Sequence, residues 1–193
     1  MTFAGGLRSI LRQDPDIIAV GEIRDGETAG IAMRSAITGH LVMSTLHTND
    51  AISAVYRLRD IGVEPWLVAS ALRGVISQRL VRKICPHCKT AYQPSEELAL
   101  LGMPEDSQTT FDKGVGCPEC RHTGYVGRRA AFEILMVNRE VRRLVNDDAA
   151  YDELLAAAKK NGYRTMRDSC RDLVLRGITT AEEAARTINS TLD

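Results

Sequence analysis

The segment that most constrains this chain is Asp14-Pro15-Asp16-Ile17-Ile18-Ala19-Val20-Gly21-Glu22-Ile23-Arg24-Asp25. A short apolar run ends in an acidic residue. A helical pattern follows over Asp25–Ile37, with Thr28, Ala29, Ile31, Ala32 and Ala36 at helical spacing. Thr38-Gly39-His40 is a stop signal, and Leu41-Val42-Met43-Ser44-Thr45-Leu46 is a second apolar run. Strand, helix and strand in this order fit a right-handed crossover in a parallel sheet. Buried strands are therefore predicted over Ile17–Glu22 and Leu41–Leu46. Both would end at the same sheet edge, which predicts that Glu22 and His47 lie near each other. A carboxylate fixed on a rigid strand end is what a magnesium ion on nucleotide phosphates requires.

Downstream, Asn49 or Asp50 can cap a helix carrying Ile52, Val55, Tyr56 and Leu58, which Gly62 ends. Pro65 opens a further helix predicted over Trp66–Val81, with Leu67, Ala71, Leu72, Val75, Ile76 and Leu80 on its apolar side. The segment Cys85–Cys120 is rich in Pro, Gly and polar residues and differs in kind. Ala130–Val137 reads as a strand. From Arg139 to Thr191 the pattern is helical, broken at Asn146–Asp148, Asn161–Gly162 and Gly177. No internal repeat or low-complexity tract is present.

The bulk composition narrows the class. A chain of 193 residues with 44% apolar residues can bury a substantial core. Lys and Arg total 25, against 25 Asp and Glu, so no strong field favours nucleic acid or a membrane surface. No apolar run reaches the roughly 18 residues that a membrane-spanning helix needs. The start, Met1-Thr2-Phe3-Ala4-Gly5-Gly6, lacks the pattern of a signal peptide, so a cytoplasmic setting is expected.

Four of the five cysteines form two Cys-x-x-Cys pairs, Cys85/Cys88 and Cys117/Cys120. In a cytoplasmic chain that spacing argues for metal over disulfides. Four thiolates suit a closed tetrahedral zinc site, structural in role because no ligand position stays open. A redox dithiol or unliganded cysteines are the alternatives. The fifth, Cys170, reads as a core or surface thiol.

His47, in Ser44-Thr45-Leu46-His47-Thr48-Asn49, follows a strand end, where an imidazole can donate a hydrogen bond to a phosphate oxygen. It could equally satisfy local backbone groups. Arg8, Arg12, Arg24, Arg57, Arg59, Arg79 and Arg82 could each stabilise phosphoryl charge or sit in solvated ion pairs.

Together these motifs resemble the secretion ATPase superfamily of P-loop NTPases, which includes the type II secretion and type IV pilus assembly ATPases. Leu11–Asp25 resembles the family's Walker B box. Thr38–Asn49 resembles its histidine box, and the four cysteines resemble its zinc element. Gly124-Tyr125-Val126-Gly127-Arg128 with Glu133, and Met166-Arg167-Asp168 with Gly177-Ile178-Thr179-Thr180-Ala181-Glu182-Glu183, resemble the stretches that follow. The zinc element sets the chain apart from the retraction ATPases, which are similar but lack it.

The resemblance implies an α/β fold comprising the C-terminal portion of the parent. Residues 1–83 would be the latter part of a RecA-like sheet, 84–128 a tetracysteine zinc element and 129–193 a helical C-terminal subdomain. It implies Glu22 and His47 as catalytic residues. Arg8, Arg24 and Thr45 would join them around ATP and Mg2+, with His40 and Thr45 supporting the strand end. Cys85, Cys88, Cys117 and Cys120 would hold zinc. It implies a hexamer in the parent, peripheral to the inner membrane through platform and secretion or pilus proteins, with no direct nucleic acid contact. The phosphate loop Gly-x-x-x-x-Gly-Lys-Ser/Thr occurs nowhere in the chain. The fragment alone is therefore expected to be inactive, and a zinc-bearing interaction module without catalysis is the alternative.

Overall fold

In chain order the elements begin with α1 (Phe3–Ile10), β1 (Ile17–Val20), α2 (Gly26–Ile37), β2 (Leu41–Ser44), α3 (Ser53–Asp60), α4 (Pro65–Ala71) and β3 (Gly74–Ile84). They continue with β4 (Lys89–Tyr92), α5 (Glu97–Leu100), β5 (Phe111–Gly114), β6 (Tyr125–Met136), α6 (Arg139–Asn146), α7 (Tyr151–Lys160), α8 (Met166–Leu175) and α9 (Ala181–Asn189). This computed structural model describes residues 2–93, 97–103 and 110–189; the predicted end of the helical run at Thr191 lies outside them. The residues form two compact units, Met1–Val75 with Ile134–Tyr163, and Ile76–Glu133 with Arg164–Asp193.

The first unit is organised by the parallel pairing of β1 and β2, in the register Ile17 with Leu41 through Val20 with Ser44. The crossover is α2. Asp25 caps it by accepting the Thr28 N–H at 2.8 Å, which satisfies one of the orphan donors of the first turn. Gly26 starts the helix because a side chain there would meet the Ile61 carbonyl at 2.2 Å. Asp50 accepts the Ser53 N–H at 2.7 Å and leads α3, which ends before Gly62 at φ +95°. Ile18, Val20, Ile52, Val55, Leu58, Val68, Leu135, Val141 and Leu154 share one core with α2, α3, α4, α6 and α7.

Both strands are less covered than expected. Ile18 and Val20 are buried, but Ile17 is 58%, Leu41 53% and Met43 53% exposed. Parallel strands are normally apolar because layers cover both faces. Among the described residues only one face of this two-stranded sheet is covered.

The helix predicted over Trp66–Val81 is corrected. It stops at Ala71, Leu72 turns extended at ψ 125°, and Gly74–Ile84 is strand β3, paired with β6. Leu72, Val75, Ile76 and Leu80 satisfy helical spacing on paper. Yet Val75 and Ile76 are β-branched, and the partner strand offers a ladder that a single-sequence reading cannot see. At Gly74 an added Cβ would sit 3.1 Å from the Leu135 carbonyl. The strand expected over Ala130–Val137 is also longer, starting at Tyr125.

The second unit contains an antiparallel pair, β4 with β5. Val81, Leu98, Leu101, Phe111, Ala131, Met166, Cys170, Leu173, Val174, Ala184 and Ile188 form its core. Cys170 is fully buried core, and burial pushes its thiol up to about 11. Within this unit Glu183, 1% exposed, joins α9 to β3. Its carboxylate accepts the Arg82 backbone N–H at 3.0 Å, Arg82 Nε at 3.0 Å, Arg82 Nη2 at 2.7 Å and Arg186 Nη2 at 2.7 Å. Burial alone would push this carboxyl up. The hydrogen bonds from Arg82 and Arg186 outweigh it and hold the group below its ordinary value.

A buried, multiply bonded carboxylate makes a checkable contribution. Glu183→Ala would leave the Arg82 N–H and guanidinium without their acceptor and should cost about 3–5 kcal/mol in chemical denaturation. The native contribution is fully present above the ordinary carboxylate range and is lost as pH falls through the depressed folded value. The variant should therefore show a flatter acid limb of stability than the parent. A loss below about 1 kcal/mol with an unchanged acid limb would exclude this role.

Candidate functional site

The parallel register carries both chain exits of the first unit to one edge. The pairing continues beyond β1 and β2, because the Ile23 N–H donates to the Thr45 carbonyl at 3.1 Å. The Thr45 hydroxyl donates to the Gly21 carbonyl at 2.8 Å. These two bonds clamp the turn that presents Glu22. His47 Nε2 then lies 3.3 Å from Glu22 Oε2, and Arg24 Nη2 lies 2.7 Å from Glu22 Oε1. With Nε2 protonated, the imidazole donates to the carboxylate.

The electrostatics favour an anionic Glu22. Its hydrogen bond from Arg24 is the largest influence and outweighs partial burial, with a smaller contribution from His47, so the carboxyl lies below its ordinary value. The Glu22 side chain is 22% exposed, whereas Arg24 is 70% and His47 85% exposed. An ionised carboxylate at an open strand edge can hold a hydrated divalent cation, and the exposed imidazole and guanidinium beside it can meet anionic oxygens.

Two other predicted residues are engaged elsewhere. Arg8 on α1 pairs with Glu27 on α2 at 2.6 Å. His40 does not support the Glu22 edge as expected: it precedes β2, at the opposite strand end, and its Nδ1 lies 2.9 Å from the Ser35 carbonyl. The reason is topological, since Gly39 and His40 close α2 before the strand begins.

The second unit gathers Cys85, Cys88, Cys117 and Cys120, whose sulfurs all lie within 4.8 Å of one another. Cys117–Cys120 lie at 3.7 Å, Cys85–Cys117 at 3.8 Å and Cys88–Cys120 at 3.9 Å. A tetrahedron with Zn–S bonds near 2.3 Å has edges of about 3.8 Å, while a disulfide needs about 2.05 Å. The donor set therefore fits a metal such as zinc, and none of these pairs is a formed disulfide.

The backbone around the cluster is shaped for thiolates. Gly116 N–H donates to Cys88 Sγ at 3.3 Å, and the Cys117 and Gly124 N–H groups donate to Cys120 Sγ at 3.2 Å each. Burial works to raise the Cys120 thiol, but these N–H groups outweigh it and bring it down to about 6. Burial dominates at Cys88, which is pushed up to about 12. Gly124 stands at φ +78°, and an added Cβ would meet the Gly114 carbonyl at 2.5 Å. Sequence reasoning found the four sulfurs but missed these donors; the only signal was glycine recurring beside the cysteine pairs.

The type II/IV secretion system protein family model matches residues 1–186. Type II secretion system protein E of Pseudomonas aeruginosa is 49% identical over 187 residues, covering 96% of this chain and 37% of that protein. The type IV pilus assembly ATPase PilB of Thermus thermophilus is 50% identical over 192 residues, covering 97% of this chain and 22% of that protein. Among solved structures, the pilus retraction motor PilT with bound ADP superposes with a TM-score of 0.66 at 30% identity, over 96% of this chain and 43% of that one. The chain thus spans less than half the length of each of these proteins.

The sulfur geometry leads to a measurable expectation. Zinc should bind with one ion per chain, and Cys120→Ser should abolish stoichiometric binding in a titration against a chromogenic chelator. Because the ligands must lose protons to bind, affinity should rise with pH. Stoichiometric zinc on Cys120→Ser, or affinity independent of pH, would exclude a tetrathiolate site.

Proposed function

Since the chain belongs to the type II/IV secretion system protein family, we propose that it is a portion of an ATPase that powers type II protein secretion or type IV pilus assembly. The observation that carries this reading is the meeting of Glu22 and His47 at one edge of the parallel pair, 3.3 Å apart.

In this reading Glu22 holds the magnesium ion that accompanies ATP and the waters around it. Its depressed titration keeps it anionic at neutral pH. His47 donates toward the terminal phosphate and Arg24 offers a second positive group. Thr45 fixes the turn from which Glu22 projects. Arg8 reaches nucleotide only by exchanging its pairing with Glu27. The bare face of Ile17, Leu41 and Met43 supports a sheet of RecA type that is continued and covered in the full-length protein. The cysteines hold zinc, which fixes the shape of its element and leaves no open position for chemistry. The parent works as a hexamer on the cytoplasmic face of the inner membrane, through platform and secretion or pilus proteins. Among the described residues no helix is long and apolar enough to cross a membrane.

The chain carries no phosphate loop. Without its backbone N–H groups and lysine around the β- and γ-phosphates, most electrostatic catalysis is missing. The 193-residue chain alone is therefore expected to be inactive.

ATP hydrolysis by the full-length protein tests the reading. Glu22→Gln should lower the rate at least about 100-fold. An unchanged rate would remove Glu22 from the site, and a full-length protein without any hydrolysis would favour the zinc-bearing interaction module. A second variant uses titration. Arg24→Ala removes the largest influence holding the Glu22 carboxyl down, so the acid limb of the pH–rate profile should move to higher pH. A limb that stays in place, or moves lower, would show that Glu22 ionisation does not govern it.

A further inference from the structure

The buried Glu183 arrangement has an outward side that the proposed function does not use. A groove of about 640 Å3 is lined by Leu80, Arg82, Tyr125, Arg128, Glu183 and Arg186, all in the second unit. Its charges do not balance. Three guanidinium groups face it with the one carboxylate, and that carboxylate is buried at the groove wall. Charges near the groove but outside its lining include Glu182, which acts on Arg82, and Lys83, whose stem lies 4.0 Å from where a Cβ on Gly127 would be.

Arg82 and Arg186 are held in place by Glu183. Glu183 takes Nε and Nη2 of Arg82, which orients the planar fork. The Arg82 guanidinium stacks on the Tyr125 ring at 4.1 Å, and the Tyr125 hydroxyl lies 2.7 Å from the Thr180 hydroxyl. Arg82 still leaves its Nη1 donors uncommitted to Glu183, and its side chain is 41% exposed; that of Arg186 is 66% exposed. Arg128 is exposed and forms no ion pair among the described residues. Beside these cations Leu80 is 49% exposed. A fixed guanidinium loses little entropy on binding a carboxylate, and an apolar side chain beside it gives an entering peptide something to bury.

We propose that this groove docks an acidic peptide segment of a partner protein. Two closely spaced carboxylates would pair with Arg82, Arg128 and Arg186 while an apolar side chain lies on Leu80 and Tyr125. A membrane surface fits less well. Lipid headgroups are recruited by broad clusters of basic residues, whereas this chain balances 25 cations with 25 anions and the groove presents three arginines within a concave site. The proposal is independent of nucleotide hydrolysis.

The test is fluorescence anisotropy of a labelled peptide containing alternating Glu and Leu, with the 193-residue chain at low and physiological salt. A peptide with Gln in place of Glu and vesicles of phosphatidylglycerol run beside it. The Glu peptide should bind at least about tenfold tighter than the Gln peptide and weaken with salt. Arg128→Glu should lower its affinity about fivefold, with an unchanged melting temperature because Arg128 anchors nothing. Arg186→Gln should weaken binding in the same sense while Glu183 keeps Arg82. Arg12→Glu, an exposed arginine of the first unit, should leave binding unaltered. Equal affinity of the two peptides, or wild-type binding by Arg128→Glu and Arg186→Gln, overturns the proposal. So does binding of the vesicles without binding of the peptide.

Discussion

The parallel pairing of β1 with β2 is the constraint on which the acidic edge depends. In a parallel pair joined by a crossover helix, both strands leave the sheet at the same end. The residues after Val20 and after Ser44 are therefore neighbours, whatever they are. That register makes Glu22 and His47 contacts although 25 positions separate them. The local bonds from Ile23 to Thr45 and from Thr45 to Gly21 refine what the topology already decides. A slip of one residue would break both and turn Ile18 and Val20 out of the core.

The second unit solves a different problem by polar means. Its tetracysteine element has little apolar interior of its own; among the described residues, beyond Cys85, Cys88 and Cys120 only Cys117 packs there. Four thiols within van der Waals reach are not by themselves a strong source of stability. Their N–H donors show where negative charge is to be accommodated. Glycine is required at Gly114 and Gly124 because those two backbones approach closer than any side chain allows, and Gly124 is also one of the donors. Away from the cysteines, Glu183 binds α9 to β3 with a dense set of charged hydrogen bonds, which tolerates burial only because every lobe of the carboxylate is used.

Much of this was legible in the sequence, for reasons that differ by element. The crossover was readable because apolar runs, a capping Asp25 and a Gly39 stop agree with one another. Helices α6 to α9 were readable from breaks at Asn146–Asp148, Asn161–Gly162 and Gly177. The cysteine cluster was readable from spacing alone. Strand β3 was not, since Leu72, Val75, Ile76 and Leu80 fit helical spacing and the deciding partner, β6, lies some 50 residues away. His40 was misjudged because spacing from the helix stop does not reveal which strand end a residue occupies. Glu183 and Arg82 were separated by about 100 positions, so nothing local announced their pairing. The grouping of α6 and α7 with one unit and α8 and α9 with the other is likewise set by long-range packing.

The two candidate sites also show why similar donor counts lead to different chemistry. The cysteines converge on a point that four sulfurs fill, with Cys85 fully buried and Cys120 nearly so. Such a site can fix shape but leaves no position for substrate. Glu22 offers one carboxylate to an open edge, flanked by groups that are mostly exposed. In the proposed reading it would fill only part of a cation's shell and leave the rest to water and phosphate oxygens, as a hydrated magnesium ion demands. Arg24 bears on both needs. Its contact lowers the Glu22 titration further below the ordinary carboxylate range. In the proposed reading, a cation taking Oε1 would have to replace the Arg24 guanidinium, which lies 2.7 Å away and is mostly exposed. The strength of that one ion pair would then weigh against the affinity of Glu22 for metal.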